Sequence, residues 1–126
     1  MLKNKYCSES FTGKDIIILD KGKKNGLFWV IFNCGTHPTA YIEIPSTHPL
    51  FGKDCSEINL PVHGGVTYSS DRLVRNDRNY KTWWIGWDYA HAGDRIGDIV
   101  SGKEWTTEEI REEVFEMVER LNVYEG

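Results

Sequence analysis

Asp15-Ile16-Ile17-Ile18-Leu19-Asp20-Lys21-Gly22-Lys23-Lys24-Asn25-Gly26-Leu27-Phe28-Trp29-Val30-Ile31-Phe32 is the stretch whose reading decides the fold. Its first six residues are a β-branched run with polar ends, which predicts a strand over 15–20. Six polar and glycine residues follow as a turn, and Asn25-Gly26 favours the positive-φ geometry of a hairpin. Residues 27–32 are continuously apolar, as expected of a central strand. Working outward, residues 40–44 alternate and predict a third strand that Pro45 closes. Three strands joined by short loops make an antiparallel meander the simplest topology.

Further along, Pro45, Pro49, Gly52 and Pro61 mark residues 45–61 as loop. Strand character returns over 62–69 and again over 82–89, the most aromatic stretch of the chain. A polar loop of mixed charge over 70–81 joins them, and three glycines make 93–103 another loop. Thr106-Thr107-Glu108-Glu109 then matches a capping box, with acidic residues where the helix dipole favours them. Ile110, Val114, Met117, Val118 and Leu121 recur at helical spacing, and Glu112, Glu113, Glu116, Glu119 and Arg120 cover the opposite faces. The expected fold is α+β, a single domain over residues 1–126. It consists of an antiparallel β-sheet of about five strands with one C-terminal amphipathic helix packed on a face.

Composition narrows the functional classes. A hydrophobic fraction of 40% with 13% aromatics supplies enough apolar surface to offset chain entropy. With 15 basic against 19 acidic residues the net charge is −4, which provides no basic face for duplex nucleic acid. Cys7, Cys34 and Cys55 are odd in number and contain no C-x-x-C pair, so a reducing compartment is expected rather than a disulfide framework. The N-terminal residues lack the apolar core of a signal peptide, and the longest apolar run is too short for a bilayer. These features predict a cytoplasmic protein without a membrane partner.

Two segments carry the candidate chemistry: His63-Gly64-Gly65-Val66-Thr67-Tyr68-Ser69 and Gly86-Trp87-Asp88-Tyr89-Ala90-His91-Ala92-Gly93-Asp94. Each sets glycine, histidine and side-chain oxygens where strand meets loop, so together they read as two walls of a ligand pocket. His63, Gly64 and Gly65 can turn backbone amides toward an anion, with Thr67 adding a hydroxyl. Asp88, His91 and Asp94, with His63 from the neighbouring strand, suit polar recognition, metal binding or acid–base catalysis; the plain alternative is loop N–H satisfaction. No H-E-x-x-H, P-loop, dinucleotide fingerprint or nucleophile elbow is present, so no catalytic residue, metal or cofactor is assigned. Arg72, Arg75 and Arg78 can close over phosphates from the intervening loop, or be neutralised there by Asp71 and Asp77. Strand alternation puts Trp83, Trp87 and Tyr89 on one face and Trp84 on the other, so only part of this set is free to stack a base. Thr36-His37-Pro38 and Thr47-His48-Pro49 repeat a tripeptide, read as proline punctuation. His37-Pro38-Thr39 also fits half of a two-histidine phosphoesterase motif, whose second copy is missing.

His48-Pro49-Leu50-Phe51-Gly52-Lys53-Asp54, the block 62–69 and the block 86–94 together resemble a family of small phage and prophage proteins, as does the closing helix. The resemblance covers roughly residues 40–122 and implies a phage context and a host-cytoplasm location, not a particular mechanism. In that context the expected activity is binding or sequestering a nucleotide-derived immune signal, such as a cyclic nucleotide or a cyclic ADP-ribose-like molecule. His63, Gly64, Gly65 and Thr67 would meet phosphate or ribose, Trp87 or Tyr89 would stack the base, and Asp88, His91 and Asp94 would bond polar edges. Arg75 and Arg78 would close the site. A small metal-assisted or acid–base hydrolase using His63, Asp88, His91 and Asp94 is the alternative, and a host-protein-binding inhibitor the second. A homo-oligomer is compatible with all three.

Overall fold

The structure is a computed structural model and describes residues 17–33, 37–71, 82–89 and 102–124. Asn25 and Gly26 both take positive φ, 51° and 87°, which is the backbone of a two-residue hairpin turn. The turn is shorter than the six residues expected, because Lys21 to Lys24 continue the first strand as edge residues paired to the second. Strands β1 (Ile17–Lys24) and β2 (Leu27–Asn33) therefore form one long hairpin, interrupted by a bulge between Ile18 and Asp20. β3 (Pro38–Glu43) pairs antiparallel with β2 and completes the meander.

β4 (Tyr68–Ser70) and β5 (Trp84–Asp88) extend the sheet on the other side of β3, giving the order β1-β2-β3-β5-β4. Helix α1 (Thr107–Asn122) packs across β1, β2 and β3. The antiparallel five-stranded sheet with one C-terminal helix against it is the α+β architecture expected. β4 is only three residues long, since Val62 to Thr67 are spent on a turn and an approach to the sheet. Among the described residues no helix is long and apolar enough to cross a membrane.

Alternation explains how a continuously apolar strand can be central. Leu27, Trp29 and Ile31 join Ala40, Ile42, Ile85, Trp87 and Tyr89 beneath α1, with Ile110, Val114, Met117, Val118 and Leu121 above them. Val30, Phe32, Tyr41 and Tyr68 are also buried, but on the opposite face. There Tyr41 meets Tyr68 edge-on, with centroids 5.2 Å apart, and Phe32 at 5.6 Å. Gly86 lies opposite Tyr41 and leaves room for its ring: a Cβ at 86 would sit 2.4 Å from a ring carbon.

The segment between β3 and β4 contributes more than a connection. Ile44, Leu50, Ile58, Leu60 and Val62 all enter the main core. Residues 58–62 alternate buried and exposed, a strand-like pattern in the sequence that Pro61 obscures. The second Thr-His-Pro motif also has a structural task. Leu50 N–H donates to His48 Nδ1 at 3.0 Å, so the proton rides on Nε2, which donates to the Leu121 carbonyl at 2.7 Å. His48 thereby caps the last turn of α1, and its ring stacks on Tyr124.

At the other end of α1 the capping box forms as the sequence implies. Thr106 Oγ1 accepts from Glu109 N–H, and Glu109 accepts from Thr106 N–H at 3.0 Å. That amide, and then Lys103 at 2.9 Å, hold the Glu109 carboxyl below the usual carboxylate range. A depressed value means the contribution is present at neutral pH and is lost as pH falls through the folded-state value. Two substitutions test the packing and the cap in chemical denaturation. Gly86→Ala is expected to cost about 3 kcal/mol by driving Tyr41 from its site. His48→Ala should cost about 1–2 kcal/mol through the lost carbonyl cap.

Candidate functional site

β5 presents different chemistry on its two faces because neighbouring strand residues point in opposite directions. On the helix side, Trp87 Nε1 donates to the Tyr89 hydroxyl at 3.0 Å. That hydroxyl donates in turn to Glu113 Oε1, while Glu113 Oε2 accepts from the His63 N–H at 2.9 Å. The His63 ring lies flat on Tyr89, centroids 4.9 Å apart and 9° from parallel, with Trp105 tilted against both. Lys103 Nζ lies over Trp105 at 4.3 Å.

This network revises three expectations. Trp87 and Tyr89 are buried, so the ring faces expected to stack a base are covered by the protein itself. The glycine turn does hold an anion, but an internal one, the Glu113 carboxylate. His63 N–H is committed to it, and Gly65 N–H closes the turn on Val62 O at 2.9 Å. Gly64 and Gly65, at φ 72° and 83°, supply the left-handed backbone this turn requires. His63 and Asp88 do not converge either: His63 stacks on Tyr89 toward the helix, and Asp88 occupies the opposite face.

The sequence reading sets Glu113 on the faces opposite the apolar stripe and gives Trp105 no part in the site. Their signal is visible in retrospect. Glu113 is three residues from Ile110 and four from Met117, which sets it beside the apolar stripe rather than opposite it.

The other face of β5 carries a second constellation. Asp88 is only 1% exposed, and its Oδ2 accepts from the Thr67 hydroxyl at 3.2 Å, a long bond for two oxygens. Thr67 is also part of the wall of a cleft of about 430 Å³ beside β4, with Asp54, Cys55, Ser56, Val66, Tyr68 and Ser69. A 3-10 turn at Cys55–Glu57 forms one rim: Asp54 caps it by accepting from the Ser56 hydroxyl and then the Ser56 N–H, which hold its carboxyl below the usual range. Ser69 Oγ fastens the turn to β4 by accepting from Cys55 N–H at 2.8 Å. Across the sheet, Thr39 lies directly opposite Asp88, buried, with no partner for its hydroxyl.

Of the residues expected at the site, the structure describes His63, Gly64, Gly65, Thr67, Trp87, Asp88 and Tyr89. Arg75, Arg78, His91 and Asp94 lie outside the described residues, as does Arg72. Among the described residues no three His, Cys, Asp or Glu side chains group as metal ligands.

Glu113→Gln is expected to destabilise the fold by about 2 kcal/mol in urea denaturation, because an amide presents one acceptor where two donors wait. Glu112→Gln, on the exposed neighbour, should stay within about 0.5 kcal/mol of the parent. Equal effects would show that the carboxylate does not tie the turn to β5. No family model, curated protein or solved structure matches this chain.

Proposed function

We propose that the protein binds a small nucleotide-derived ligand in the cleft beside β4 and recognises it by its base. The observation that carries this reading is the Asp88 carboxylate, buried in the sheet yet linked to the cleft wall by the long Thr67 bond. Thr67 carries a hydroxyl from that buried carboxylate to the cleft, where it stands with the side-chain oxygens of Asp54, Ser56 and Ser69 and suits recognition of the polar edge of a ligand. A volume of about 430 Å³ matches one nucleotide unit rather than a macromolecular partner.

The lining argues for base contacts over phosphate contacts. Asp54 is the single charged residue among the cleft-lining residues and is acidic, and in the glycine turn the His63 amide already serves Glu113 while the Gly65 amide closes on the Val62 carbonyl. His63, Gly64 and Gly65 thus shape the approach to Thr67, while Arg75, Arg78, His91 and Asp94 remain proposed contacts to the rest of the ligand. With the resemblance of the three sequence blocks to phage proteins, the biological reading is sequestration of a nucleotide immune signal.

A depletion-and-release assay tests this. Purified protein is mixed with cyclic oligonucleotides and cyclic ADP-ribose isomers, removed by filtration and heated, and both fractions are analysed by mass spectrometry. A compound that disappears and returns intact supports sequestration, with Asp88→Asn depleting at least tenfold less. A compound that returns with a new mass makes the protein an enzyme instead. A panel left untouched overturns the nucleotide reading and favours a host-protein partner.

A further inference from the structure

The protons on the cleft wall beside β4 are largely committed within the protein. The Ser56 hydroxyl donates to Asp54 Oδ2 at 2.6 Å, and the Thr67 hydroxyl donates to Asp88 Oδ2 at 3.2 Å. A hydroxyl carries one proton and two lone pairs, so each of these oxygens has only lone pairs left for a ligand. The Asp54 carboxylate likewise only accepts, and its two oxygens have capacity beyond the bonds of their own turn. Three backbone amides of the wall are spent as well: Cys55 N–H on Ser69 Oγ, Ser56 N–H on Asp54 and Thr67 N–H on the Gly86 carbonyl. Ser69 is the reverse case. Its oxygen accepts from Cys55, and its own proton remains to give. The cleft of about 430 Å³ therefore offers acceptors at Asp54, Ser56 and Thr67 and a hydroxyl donor at Ser69, with Val66 as apolar surface.

Resting on the binding function proposed above, we infer that this cleft reads a base by an amino group beside a ring-nitrogen lone pair, the edge of adenine or cytosine. The amino group has two N–H donors for a wall whose oxygens accept, with Asp54 the strongest acceptor because it is charged. The ring nitrogen next to it accepts from the Ser69 hydroxyl. Hypoxanthine and uracil carry a carbonyl oxygen where these bases carry the amino group, and an N–H where they carry the lone pair. Against this wall the carbonyl would set lone pair against lone pair, which leaves polar groups on both sides unpaired. The same inventory turns phosphate away, since its oxygens also only accept.

Two pairs of compounds that exchange amino for carbonyl test the inference: cyclic di-AMP with cyclic di-IMP, and CMP with UMP. Equilibrium dialysis is run on the parent and on Asp54→Asn, each below its melting temperature. Asparagine caps a turn as well as aspartate does, so the variant is expected to melt with the parent. The parent should prefer the amino member of at least one pair by about tenfold or more, and the pair that shows it tells adenine from cytosine. In Asp54→Asn, whose amide brings an N–H of its own, that preference should narrow to about threefold or less. A ratio between two ligands reports recognition even if the variant is less stable. Equal binding within both pairs, or preference for a carbonyl member, overturns the inference and leaves the binding function standing. Full preference retained by Asp54→Asn also overturns it, because the carboxylate would then not read the base. If the parent binds none of the four but depletes another nucleotide, the amino-edge assignment falls and the binding function stands. If no nucleotide is bound, both fall.

Discussion

One carboxylate joins the parts of this molecule that sequence order keeps apart. Glu113, on the helix, accepts from Tyr89 at the end of β5 and from the backbone of His63 in the glycine turn. Its two oxygens thereby set how the helix lies on the sheet and where the segment leading into β4 begins. Tyr89 is positioned from its other side by the Trp87 indole, and the His63 ring lies flat on Tyr89 with Trp105 tilted against it. A half-buried carboxylate with two good donors is worth more than a surface ion pair, because little water competes for it. The wall of the cleft starts three residues beyond this anchor, so its geometry inherits the rigidity of the core.

The elements governed by local rules were legible in the sequence. Asn25-Gly26 marked the hairpin, Thr106 and Glu109 the helix start, and the spacing of Ile110, Val114, Met117, Val118 and Leu121 its buried face. The alternation of Trp87 and Tyr89 against Asp88 was legible too, since a strand has a fixed period of two. What could not be read was which occupant meets each face. Trp87 and Tyr89 carry the composition of a stacking platform, and only the arrival of the helix, with His63 and Trp105, turns them into interior. Two consecutive glycines likewise announce a backbone prepared for an anion without saying that the anion is part of the same chain.

The candidate site was legible at Asp88 and Thr67, but the pairing of Asp88 with Thr39 was hidden. The first two lie in blocks rich in glycine and polar residues, which draw attention by composition. Thr39 lies within an ordinary strand and gains its meaning from register alone, forty-nine positions before its partner. Long-range pairing of this kind leaves no trace in local periodicity. The same holds for His48, whose ring closes the last turn of a helix more than seventy residues later.

The contact between Gly86 and the Tyr41 ring has a consequence for how this protein can change over generations. The two positions are one unit of inheritance: a side chain cannot appear at 86 while the ring remains at 41. A side chain at 86 therefore meets the ring at 41, and the effects of substitutions at the two positions do not add independently. The centre of the sheet is therefore held fixed by neighbours in space that are far apart in sequence.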